Sequence, residues 1–274
     1  MKITFLGGGN MASALIGGLI KQGFPASDLQ VVEREPEGRN RLSSQFGVRC
    51  FGQLDGEALA CDVLVLAVKP QQMREALAPL AGQLKQQLLL SVAAGLRLGD
   101  LAEWLGGYTR LVRSMPNTPA LIGRGITGLY AHPDVDAAGR AAAEQVLAAV
   151  GKCEWVADES LMDTVTAVSG SGPAYVFRFI EALSAAGVAE GLPADVSQRL
   201  AIETFVGAAL LAAGSPESPA TLRERVTSKG GTTAAALESM NAAGIESLIA
   251  AAVKAARLRG AELGAELAGK SNGA

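Results

Sequence analysis

Lys2-Ile3-Thr4-Phe5-Leu6-Gly7-Gly8-Gly9-Asn10-Met11-Ala12 decides the fold class of this 274-residue chain. Residues 2–6 alternate and cluster like a short buried strand, and they run straight into a glycine triplet. From Asn10 to about Lys21 the pattern changes to a helical one, with Met11, Leu15, Leu19 and Ile20 on one side, and Gln22-Gly23 ends it. Gly7, Gly9 and Ala12 therefore occupy the three small positions of a strand–GxGxxA–helix turn. The first permits the tight turn, the second lets a pyrophosphate approach the backbone, and the third lets helix and strand pack closely. The helix start adds amides and positive dipole for phosphate.

Beyond this unit the first half keeps alternating. A strand is expected at Leu29–Glu33, a polar helix at Glu37–Phe46, and further strands at Asp62–Val68, Leu88–Val92 and Arg110–Arg113. The runs at 63–68 and 88–92 are apolar throughout, as strands covered on both faces should be. This order predicts an α/β, Rossmann-type, doubly wound parallel sheet. After Trp155 the strand signals stop. Helices are expected at 158–168, then, past Ser169-Gly170-Ser171-Gly172-Pro173, at 173–190, 194–213, 219–227, 232–242 and 244–267. Many are alanine-rich and apolar around much of their circumference, which suits an all-α dimerisation domain. The expected division is a dinucleotide-binding domain over 1–157 and a helical substrate and dimerisation domain over 158–274.

Composition sets bounds on partners. Hydrophobic residues are 49% and charged ones 19%, which is ordinary for a globular chain. A net charge of −3 gives no electrostatic footprint for nucleic acid. No apolar run in the sequence reads as a membrane span, and the apolar start lacks a small-residue cleavage site, so a soluble, cytoplasmic protein is expected. Cys50, Cys61 and Cys153 are odd in number and widely spaced, which points to reduced thiols and to no metal site.

His132 is the one histidine, and Pro133 behind it marks a turn, so histidine acid–base catalysis is not expected. No nucleophile elbow, Walker loop or metal-ligand cluster appears in the sequence. Redox chemistry carried by a nicotinamide remains. Glu33 ends the second strand, where an acid could hold the adenosine ribose hydroxyls, but Arg34 follows and could pair with a 2′-phosphate. The guanidinium favours NADPH, with NADH left open. Segments 67–70 and 91–95 follow apolar strands at the carboxyl edge of the sheet, where open α/β sheets bind ligands. Segment 227–233 opens a helix and could hold a carboxylate.

Taken in order, GGGNMA (7–12), AVKPQ (67–71), SVAAG (91–95), MPNTP (115–119), SGSGPAY (169–175) and TSKGGTT (227–233) resemble the pyrroline-5-carboxylate reductase family, over residues 1 to about 260. The resemblance implies reduction of 1-pyrroline-5-carboxylate to L-proline by hydride transfer from NAD(P)H, the last step of proline biosynthesis. It implies that Leu6, Gly7, Gly8, Gly9, Asn10, Met11 and Ala12 hold the pyrophosphate and Arg34 the adenosine-ribose end. Ala67, Val68, Lys69 and Pro70, with Val92, Ala93 and Ala94, would line the rest of the cofactor path. Glu159, Thr232 and Thr233 would contact product, Gly230 and Gly231 would cradle its carboxylate, and Thr233 would hydrogen-bond the ring nitrogen. A homodimer, assembled further into a larger homo-oligomer, is also implied. Gln53 and Leu54 stand where the family has a cofactor-contacting Asn, and Arg225 where some members have another. Two rival readings are a β-hydroxyacid-dehydrogenase-like reductase, which relies on a lysine in the helix after SGSG, and a non-catalytic nucleotide sensor. The helix has only Arg178 as a basic residue, and segment 228–233 is intact.

Overall fold

In a computed structural model of the protein, residues 1–269 are described. They divide into two compact units, one formed by Met1–Ser171 together with residues 255–269, the other by Gly172–Lys254. The last strand of the first unit ends at Trp155, where the strand signals stop in the sequence.

The first unit is built on a sheet of eight strands among the described residues. These are β1 (Ile3–Leu6), β2 (Leu29–Val32), β3 (Arg49–Phe51), β4 (Val63–Leu66), β5 (Leu88–Ser91), β6 (Leu111–Met115), β7 (Gly125–Ala131) and β8 (Gly151–Trp155), lying in the order β3-β2-β1-β4-β5-β6-β7-β8. Pairing is parallel throughout except between β6 and β7. Helices α1 (Asn10–Lys21), α2 (Pro36–Phe46), α3 (Pro70–Leu77), α4 (Leu98–Trp104) and α5 (Ala137–Leu147) connect the strands.

Strand alternation explains the two-sided wrapping. Ile3, Phe5, Leu29, Val31, Val63, Val65, Leu88 and Leu90 join one cluster with Leu15, Ile16 and Leu19 of α1, Leu42 of α2 and Val146 of α5. Their neighbours Leu6, Val32, Leu64, Leu66 and Leu89 join a second cluster with Met73 and Leu77 of α3 and Leu101 of α4. Each core strand thus feeds both faces, which is why 63–66 and 88–91 read as unbroken apolar runs.

The expected strands at 29–33, 62–68, 88–92 and 110–113 are present with edges trimmed by one or two residues or, for the last, shifted towards Met115. Strands β3, β7 and β8 are additional to those read from the sequence. Gly151 shows why β8 is hard to read: a Cβ there would stand 1.9 Å from the Gly125 carbonyl oxygen, so close backbone approach demands glycine in the strand.

The segment after β8 is also more continuous than expected. Asp158 caps a short 3-10 turn by accepting from the Ser160 amide at 2.7 Å, α6 (Met162–Val165) follows, and a π-helical stretch covers Thr166–Gly170. The break expected at 169–173 is therefore a π turn ending at Ser171, with Pro173 in the first turn of the next helix.

The second unit contains α7 (Gly172–Ala189), α8 (Ala194–Gly214), α9 (Pro219–Arg225), α10 (Thr232–Ala242) and the first part of α11 (Ile245–Leu267). Phe179 and Phe205 hold α7 against α8 with ring centroids 6.4 Å apart, and Ser197 donates to the Ser184 carbonyl at 2.7 Å. This unit buries almost none of its large apolar side chains. Phe177, Leu210, Leu211 and Leu248 are each more than half exposed. A helical layer that leaves this much apolar surface uncovered carries an interaction surface. By length and composition alone α8 could cross a membrane, a feature missed in the sequence, where Asp195, Arg199 and Glu203 break up the run.

Candidate active site

The carboxyl ends of the central strands are in register, Leu6 beside both Val32 and Leu66, Leu66 beside Ser91, and Ser91 beside Arg113. The residues that follow, Gly7, Ala67 and Val92, consequently emerge side by side along one edge. Between β1 and β4 the strand order reverses, and this is where a crevice opens.

Gly7 makes the turn. Its φ is +102°, its amide donates to the Val32 carbonyl at 2.9 Å, and a Cβ would stand 2.8 Å from the Ala67 carbonyl oxygen. A side chain is excluded there on both conformational and steric grounds. Ala12 is fully buried in the cluster beneath, so α1 sits close on the sheet. Gly9 differs from both. A Cβ on it would meet nothing within 4 Å, so its missing side chain leaves open space directly at the start of α1. That helix start has no side-chain cap and no acidic residue in its first turn. Uncapped amides beside open space are what a pyrophosphate requires, and the residues present fit a dinucleotide.

A groove of about 640 Å³ runs from this loop across the edge, lined among others by Leu6, Gly7, Gly8, Gly9, Arg34, Ala67, Val68 and Lys69. Eight of the expected residues are thereby brought together. Asn10, Met11 and Ala12 on α1, Pro70 at the start of α3, and Val92, Ala93 and Ala94 past the end of β5 are not among the residues that line this groove. The lining also includes Gly52, Gln72 and Glu75, which no local sequence motif singles out.

Glu33 also lines the groove, and both of its carboxylate oxygens accept backbone amides. One oxygen accepts from the Gly8 amide at 3.0 Å and the other from the Glu35 amide at 3.1 Å, so it braces the glycine loop from below. Arg39 caps the same turn, donating to the Glu33 and Arg34 carbonyls at 2.8 and 2.6 Å. Arg34 reaches outward and pairs with Glu75 at 3.0 Å.

Glu159 stands at the start of the segment after β8, where its carboxylate accepts from the Leu98 amide at 2.7 Å and from Arg113 at 3.3 Å. Arg113, only 3% exposed, also donates to Asp163 at 3.1 Å. Asn117 links the π turn to β7, donating to the Ser169 carbonyl at 3.1 Å and accepting from the Ile126 amide at 3.0 Å. His132 lies in its expected turn, with Nδ1 accepting from the Asp134 amide at 3.3 Å. The three cysteines are free thiols, and burial, with Glu144 and Glu154 adding to it, pushes Cys153 up to about 11, far from a reactive thiolate.

In the second unit, Gly230 takes a φ of +71°, and Gly231 caps α10 with its amide bonded to the Ser228 carbonyl at 3.0 Å. Thr232 and Thr233 are the first two residues of α10, the former exposed and the latter half-buried. The helix start again has neither a side-chain cap nor an acid in its first turn.

Comparison with known proteins fits this geometry. A model described as pyrroline-5-carboxylate reductase dimerisation matches residues 159–263, and one described as NADP oxidoreductase, coenzyme F420-dependent, matches residues 2–95. Over 97% of its length the chain is 46% identical to the pyrroline-5-carboxylate reductase of Pseudomonas aeruginosa, covering 98% of that protein. The chain belongs to the pyrroline-5-carboxylate reductase family. Its fold superposes with a TM-score of 0.92 on the Coxiella burnetii pyrroline-5-carboxylate reductase, at 38% identity, covering 96% of this chain and 98% of that one. The Plasmodium falciparum pyrroline carboxylate reductase, solved with NADP bound, gives a TM-score of 0.83 at 30% identity, covering 96% of this chain and 98% of that one. As a family member the chain is an NAD(P)-dependent oxidoreductase, and its helical second half is a dimerisation domain. The hydroxyacid-dehydrogenase alternative finds no footing: α7 carries no lysine, and its Arg178 is exposed and paired with Glu181.

The open face of Gly9 gives a direct test of the cradle. Its φ of −71° is ordinary for any residue, so Gly9→Val should fold normally. The isopropyl group would then occupy the phosphate's space. Nucleotide affinity, measured by calorimetry, should fall about tenfold or more, equivalent to at least ~1.4 kcal/mol.

Proposed function

We propose that this chain reduces 1-pyrroline-5-carboxylate to L-proline with NADPH, as the final step of proline synthesis, acting in the cytoplasm as a homodimer that assembles further. The observation that carries the nucleotide half of this reading is the uncapped start of α1 beside the open face of Gly9, at the strand-order reversal. Leu6 to Ala12 would hold the pyrophosphate, Arg34 the 2′-phosphate, Ala67–Pro70 the path beyond, and Val92–Ala94 the nicotinamide end. When bound, the reduced nicotinamide supplies the hydride.

The chain's own residues then have two tasks. The first is to hold the substrate carboxylate. Beyond the Gly231 amide, which bonds the Ser228 carbonyl, the start of α10 has neither side-chain cap nor first-turn acid and suits an anion, with Gly230 and Gly231 shaping the approach. The second is to fix the ring. Thr233 on the first turn of α10 would accept from the ring N–H, and Thr232 would pack beside it. Glu159, held by Arg113 and the Leu98 amide, would complete the product contacts. A protonated cyclic imine is already electrophilic at carbon, so the reaction needs position more than a strong acid. This agrees with a chain whose single histidine sits in a surface turn.

Purified protein given 1-pyrroline-5-carboxylate with NADPH, and in parallel with NADH, tests the reading. Oxidation of nucleotide with equimolar proline is the expected result, faster with NADPH. Nucleotide that binds but is not oxidised would sink the proposal.

A further inference from the structure

We infer that Glu75 is a specificity-determining residue, set opposite Arg34 so that its carboxylate competes with the 2′-phosphate that separates NADPH from NADH. This rests on the dinucleotide reading of the groove and extends it to a residue that no motif marks.

The geometry is local to the adenosine end of the groove. Arg34 follows the carboxyl end of β2, Glu75 sits on α3 across the crevice, and both line it. Their side chains meet at 3.0 Å, bridging the two walls. The usual acidic determinant is otherwise engaged: both oxygens of Glu33 accept backbone amides, from Gly8 and Glu35. Arg39 is likewise committed, to the carbonyls of Glu33 and Arg34. Discrimination at the ribose therefore falls to Arg34, and Arg34 already has an anion.

A 2′-phosphate must displace Glu75 to reach the guanidinium. A 2′-hydroxyl does not face that cost. Glu75 thus tempers the preference for the phosphorylated nucleotide that Arg34 alone would give. The pair is exposed, with side chains at 67% and 73% of full accessibility, so solvent screens it and the effect is modest.

The test is calorimetric titration of NADP+ and NAD+ into wild type, Glu75→Gln, Arg34→Ala and the double variant at low salt. In Glu75→Gln, the preference for NADP+ over NAD+ should rise roughly two- to fivefold, and the gain should shrink at high salt. Arg34→Ala should lose much of the preference, and adding Glu75→Gln to it should restore little, because the competition runs through Arg34. An unchanged preference in Glu75→Gln overturns the inference while leaving the nucleotide site standing. So does an equal gain in the Arg34→Ala background, which would make Glu75 a general repulsive charge. Failure of wild type to bind either nucleotide would overturn both this inference and the reading beneath it.

Discussion

Replacing Thr233 with alanine is expected to lower kcat/KM for the cyclic imine by roughly 10- to 100-fold, with the fold intact. Hydrogen bonds to charged groups contribute about 1.5–3 kcal/mol, which spans that range. Thr233 occupies the second position of α10, half-buried and next to uncapped amides. A carboxylate held at this helix start would bring the substrate ring within reach of the threonine hydroxyl. Alanine is helix-compatible at that position, so circular dichroism and nucleotide binding should match wild type. Thr233→Ser keeps the hydroxyl and should recover most of the loss. Steady-state kinetics on the three proteins decide the matter, and full activity in the alanine variant would remove Thr233 from the mechanism.

Arg113→Met should cost about 3–5 kcal/mol of stability, the usual penalty for leaving buried charges without their partner. Arg113 ends up almost fully buried because β6 holds it between Ser91 of β5 and Tyr130 of β7, under the segment after β8, where it meets Glu159 and Asp163. The methionine side chain fills similar volume, so the loss reads electrostatics more than a cavity. Urea denaturation of the variant should show the reduced midpoint. Adding Asp163→Asn should return part of the loss, since one of the two stranded carboxylates is then neutral. Equal stability of Arg113→Met and wild type would mean that the ion pairs contribute nothing net.

Much of this architecture is legible along the chain. The β1–glycine–α1 unit is read correctly because every one of its demands is local: a tight turn at Gly7, an open approach at Gly9, a small residue at Ala12. Strands β4 and β5 are read from apolar runs because both faces are covered. The second unit's character is visible too, since helices such as α7 and α8 are apolar on faces that the unit itself leaves uncovered. What local pattern hides is long-range pairing. Arg113 is separated from its carboxylate partners by 46 and 50 positions, and Glu75 from Arg34 by 41, so no spacing rule connects them. Strand β8 is obscured by the glycine that its neighbour's backbone requires. Glu33 is the instructive residue: its position at the end of β2 suggests a ribose contact, and the fold adds a bracing role that no motif shows, its carboxylate accepting the Gly8 and Glu35 amides.

Hydride passage from the nicotinamide to the imine carbon of 1-pyrroline-5-carboxylate can be followed with NADPH carrying deuterium at both C4 positions, so that either face delivers label. Mass spectrometry and NMR of the product should then find one deuterium per proline, on the ring carbon bonded to nitrogen and remote from the carboxylate. Proline without label at that carbon, or no proline while the deuterated nucleotide stays bound and reduced, would contradict the account.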